Sequence, residues 1–87
     1  MPLNAYREEA ARFLEGVHAS NLPLEEVLRM LQEELDILKA ADPADSKTVS
    51  HPTYDLLFLV MEIAAQYTVD LDAEWTAGRV RKARKYL

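Results

Sequence analysis

The chain contains no cysteine. That excludes a thiol nucleophile, a cysteine-based zinc site and redox chemistry, and it fits a reducing compartment. Only two glycines are present, and neither sits in a strand-like alternation or a glycine-rich phosphate loop. No Ser/His/Asp set and no zinc-finger spacing is found, which removes most enzyme classes that announce themselves by motif. Long apolar runs are also missing. The longest, Leu56–Met61, is closed by Glu62, far short of the roughly 20 residues a membrane span needs. Met1-Pro2-Leu3-Asn4 has neither a basic nor an apolar signal region, so no secretory leader is expected. The expectation is a cytoplasmic protein that does not enter a membrane.

What is present is a single short domain of 87 residues, 1–87. A chain of this size buries only roughly 60–65% of its unfolded surface. With no disulfide to supplement the core, association with another chain is expected. Charge is unevenly placed. Five of the ten cations (Arg79, Arg81, Lys82, Arg84 and Lys85) fall in the last nine residues, while all fifteen acids precede residue 79. An acidic body disfavours a nucleic-acid polymer, whose binding is largely phosphate neutralisation. It favours a divalent cation if its carboxylates converge.

Apolar residues recur at the helical period. The pattern predicts a first helix from about Asn4 to His18, with Asn4 as N-cap and Tyr6, Ala10, Phe13, Leu14 and Val17 on one face. After Asn21-Leu22-Pro23, a second helix carries Leu24, Val27, Leu28, Leu31, Leu35 and Leu38 as one stripe, with Glu25 and Glu26 suited to its first turn. It should stop before Asp42-Pro43, since a residue preceding proline avoids the helical well. Residues 42–51 read as a polar loop. Ser50 would cap a third helix, about Pro52–Tyr67, with Pro52 in its first turn. That helix is apolar nearly all round, except for a stripe of Asp55, Glu62 and Gln66. Such a helix must be buried on several sides, one of them against a partner subunit. Asp70 or Thr68 would cap a fourth helix, about Leu71–Tyr86, whose acids at the start and cations at the end both suit the macrodipole. Trp75 reads as a packing anchor, and His18 and His51 as solvated or capping residues. The fold class is therefore all-α, a four-helix bundle associating through its third helix.

Three blocks occur in a telling order: Leu31-Gln-Glu-Glu-Leu, then Tyr54-Asp-Leu-Leu-Phe-Leu-Val-Met-Glu-Ile-Ala, then Val69-Asp-Leu-Asp-Ala-Glu-Trp followed by Ala83-Arg-Lys-Tyr86. The series is similar to MazG-type nucleoside triphosphate pyrophosphohydrolases over roughly residues 24–87. In that family a helix bearing E-E-x-x-E precedes one bearing E-x-x-D and a long apolar run. The resemblance implies Mg²⁺-dependent cleavage of a nucleoside triphosphate, NTP or dNTP, between its α and β phosphates by a homodimer or homotetramer. Mg²⁺ is a hard ion held by acids together with phosphate oxygens, and it lowers the pKa of the attacking water.

Carried over by position, Glu33 and Glu34 match the paired glutamates, and Asp55 matches the aspartate of the second motif. The third acid of the first motif falls on Ile37, and the glutamate of the second falls on Pro52. Glu62, further along the face of Asp55, is the replacement candidate as a metal ligand. The phosphate-facing Lys and Asn of the last helix fall on Gly78 and Lys82, and Arg79 and Lys82 become the phosphate candidates. No catalytic base is assigned. Plainer readings stand beside these: a solvated acidic face for Glu33 and Glu34, a first-turn acid for Asp55, and a solvated helix end for the basic cluster. Two functions remain open: a MazG-like pyrophosphohydrolase, or an inactive relative serving as a helical interaction or nucleotide-binding module.

Overall fold

The computed structural model describes residues 2–87. They form four α-helices, α1 (Leu3–Gly16), α2 (Leu24–Lys39), α3 (Ser46–Gln66) and α4 (Leu71–Tyr86), with no strand among the described residues. The all-α architecture read from the helical period is thus present. The longest helix, α3, lies at the centre and packs against both α1 and α2, whereas α4 leans chiefly on α1.

The interior is small. Ala10 and Leu14 of α1, Val27 of α2, and Pro52, Leu59, Met61 and Ala64 of α3 are buried, and Val27 alone among the described residues is fully enclosed. Phe13 and Phe58 meet edge to face with ring centroids 5.7 Å apart, an arrangement that matches the positive rim of one ring to the negative face of the other. Each predicted apolar stripe is only half used. On α1, Tyr6, Phe13 and Val17 stay exposed beside buried Ala10 and Leu14; on α2, Leu28 and Leu35 stay exposed beside Val27. Trp75 is 48% exposed and anchors nothing in the core, and no residue of α4 is buried.

Helix starts depart from the sequence reading where side chains from elsewhere intervene. Asn4 does not cap α1; Pro2 occupies that position and contributes no side-chain bond. The free amides at this end are instead met by α4, as Leu3 N and Asn4 N donate to the two carboxylate oxygens of Asp72 at 3.0 and 3.4 Å. Asn4 itself reaches across, donating from Nδ2 to Asp70 Oδ1 at 2.9 Å and accepting from Leu71 N at 2.8 Å. Arg7 adds a 2.6 Å bond to the Val69 carbonyl. Asp70 caps α4 as one of the two expected choices, accepting from Ala73 N at 3.1 Å.

The start of α3 corrects the sequence reading more substantially. The helix begins at Ser46, six residues before Pro52, and its cap is Asp45 rather than Ser50. Proline favours the first turn of a helix because it lacks an amide and clashes with the preceding turn. Here the preceding residues are fixed by a separate knot. Thr48 Oγ1 accepts from Asp42 N at 2.9 Å and contacts the Asp42 and Asp45 carbonyls at 2.8 and 2.7 Å, and Asp45 Oδ1 accepts from Lys47 N at 3.2 Å. With its nucleus tied down in this way, the helix runs through buried Pro52, giving up one ladder bond. The loop expected over 42–51 shrinks to the residues just after α2.

Candidate functional site

Moving the start of α3 changes the status of Asp55. It is the tenth residue of a 21-residue helix, and the dipole acts only within the first turn. The plain explanation of Asp55 as a first-turn acid therefore falls away. Its side chain borders a cleft of about 280 Å³ between α2 and α3, lined by Met30, Glu33, Glu34, Asp55, Phe58 and Leu59. An adjacent pair of acids from α2 and a distant one from α3 thus share one hollow. Glu34 is half-buried there, while Glu33 and Asp55 are exposed.

Glu33 is already engaged, since Arg29 one turn earlier pairs with both Glu33 and Glu26. This i−3/i+4 clamp lies on the solvent side of α2, where ion pairs contribute little to stability. Its main effect is local: the Arg29 guanidinium holds the Glu26 carboxyl below its ordinary range.

The two positions where the family motif would carry further acids, Ile37 and Pro52, line a neighbouring hollow with Ala40, Ala41 and His51. Carboxylates of α2 and α3 thus border one hollow, and Ile37 and Pro52 border the next. Glu62 does not join them. It shares the helix face of Asp55, but seven residues of rise, about 10 Å, separate them. Glu62 instead lines a second pocket, of about 390 Å³, with residues of α1 and the α1–α2 loop. It is only 5% exposed, and its Oε2 has no hydrogen-bond partner. Burial pushes its carboxyl above the ordinary range.

Arg79 and Lys82 are exposed on α4 and line neither pocket within one chain. The structure thus brings Glu33, Glu34 and Asp55 together and leaves Glu62, Arg79 and Lys82 apart. A hard cation fits the oxygen chemistry of the three cleft acids. As the side chains lie, however, no three or more His, Asp or Glu residues are gathered closely enough to hold a metal ion, among the described residues.

The Asp72 cap and the Asn4 bridge escaped sequence reasoning, because they join residues 66–69 positions apart and no local pattern encodes them. No described helix is long and apolar enough to cross a membrane. Comparison with family models, with curated proteins and with solved structures gave no match to the chain.

Proposed function

We propose that this chain is a MazG-like nucleotide pyrophosphohydrolase domain with a reduced acid set, acting in the cytoplasm as a homodimer or homotetramer. The observation that carries the reading is the cleft shared by Glu33, Glu34 and Asp55. The three residues picked out by resemblance come from two helices more than twenty positions apart, and they border the same hollow. Glu34 and Asp55 would hold Mg²⁺ through their carboxylate oxygens, together with oxygens of the triphosphate. Glu33, paired here with Arg29, would be the third candidate ligand. When bound, the ion would neutralise charge developing on the phosphates and favour ionisation of the attacking water.

A second reading, an inactive helical module for protein interaction or nucleotide binding, is favoured by a different observation. Ile37 and Pro52 stand where the resemblance would put two acids, and both line an adjacent apolar hollow.

Calorimetric titration of Mg²⁺ with a non-hydrolysable triphosphate, followed by pyrophosphate-release assays over NTPs and dNTPs, separates the two readings. The enzyme reading expects metal-dependent binding and turnover, and Asp55→Asn should abolish turnover while leaving the circular-dichroism spectrum unchanged. Turnover that survives Asp55→Asn undiminished removes Asp55 from the site. Absence of pyrophosphate release from every nucleotide leaves the module reading.

A further inference from the structure

The pocket at Glu62 lies about 10 Å along α3 from Asp55 and has no part in the reading above. Glu62 lines it, and the Oε2 of that residue is buried and unpartnered. A buried carboxylate oxygen without a donor is costly, so its position calls for a proton or a positively charged occupant.

The rest of the wall points to the second. Glu15, on the last turn of α1, lines the same pocket, and no Lys, Arg or His does. Gln66 spends its amide nitrogen on the Leu22 carbonyl at 2.9 Å, which leaves its oxygen as the group it can offer. Ser20 and Asn21 complete the polar wall from the α1–α2 loop. The pocket thus presents an excess of acceptors and two negative charges with no internal countercharge. Leu14 and Ala65 give it an apolar side.

A metal ion is not the best match. Mg²⁺ or Ca²⁺ demands about six or more oxygens at short range, and no such gathering of acids exists among the described residues. An alkylammonium group needs only three acceptors around one nitrogen and brings a hydrocarbon stem that an apolar wall can cover. We propose that the Glu62 pocket binds an organic cation bearing a primary ammonium group, with Glu62 and Glu15 as its anionic partners and the Leu14 side covering its alkyl stem.

The test uses the full chain with 1,4-diaminobutane as probe, followed by calorimetry and by carbon NMR of the glutamate carboxyls at neutral pH. Saturable binding that shifts the Glu62 signal is expected. It should weaken about tenfold or more in Glu62→Gln, which keeps the shape and removes a charge-assisted bond. Glu15→Gln, on the exposed rim, should weaken binding as well, and it serves as the decisive variant if Glu62→Gln does not fold. A lysine-bearing peptide, acetyl-Ala-Lys-Ala-amide, presents the same ammonium on a polypeptide. Binding of the diamine alone assigns a free amine, and binding of the peptide alone assigns a partner's side chain. No saturable binding of either probe, or binding unchanged in both variants, overturns the proposal.

Discussion

At the scale of single residues, two backbone positions and one carboxyl stand out. α1 and α3 both end in the same hydrogen-bonded motif: His18 N donates to Glu15 O and Ala19 N to Leu14 O, just as Thr68 N donates to Ala65 O and Val69 N to Ala64 O. This motif needs a left-handed residue, usually glycine, yet His18 and Thr68 occupy it with φ of 58° and 52°. A β-branched residue is especially disfavoured there. Thr68→Gly should therefore raise stability by about 1 kcal/mol, seen in urea unfolding as a higher midpoint with an unchanged slope.

Glu62 sets a pH dependence of definite sign. Its folded carboxyl titrates above the ordinary value, so it stabilises the fold most at low pH, and that contribution disappears as pH rises through the raised value. Asp70 acts in the opposite sense. The Asn4 amide and then the Ala73 backbone amide hold its carboxyl below the ordinary range, so its contribution is present above the ordinary value and is lost as pH falls through the depressed one. Thermal melts across pH should show greatest stability under mildly acidic conditions. Glu62→Gln should flatten the neutral side of that profile and melt higher than the parent protein at pH 7; a lower melt would show that the charged carboxylate has a partner.

At the scale of elements, the helices were legible and the start of α3 was not. Four periodic segments place α2 and α4 to within a residue or two of their observed bounds, because leucine spacing and terminal charges are local signals. The start of α3 was hidden because proline's rule is local too, while the knot of Thr48 with Asp42 and Asp45 overrides it. The candidate cleft was legible in part: Glu33, Glu34 and Asp55 were named from sequence and share a hollow. The displacement of Glu62 was not, since helical phase alone cannot tell which neighbour a given turn faces. The attachment of α4 was illegible altogether. With no buried residue, this helix is held mainly by polar bonds from Asn4, Arg7 and Asp72 at its first turn. Asn4→Ala should raise amide exchange at Leu71 and through α4 by about fivefold or more while leaving α2 and α3 protected, in line with about 1 kcal/mol for a lost bridge.

At the scale of the molecule, a large share of the apolar side chains stays open to solvent. Tyr6, Phe13, Tyr54 and Leu57 line an open groove of about 500 Å³ between α1 and α3, and all four are exposed. An interaction surface needs contiguous apolar area of this kind, and the groove supports the proposed association through α3. Sedimentation velocity should find a species of at least two chains at micromolar concentration. Leu57→Glu should shift it towards monomer and lower the melting temperature; a monomer at all concentrations in the parent protein would sink the assembly reading.

The bridge from Asn4 to Asp70 and Leu71 carries a kinetic consequence. It closes a loop of nearly seventy residues, and the entropy of closing such a loop must be met before its bonds repay it. α1 can find α3 without that bridge, so docking of α4 should be a late event in folding. In unfolding, the same joint should open first, releasing α4 and uncapping the front of α1 together.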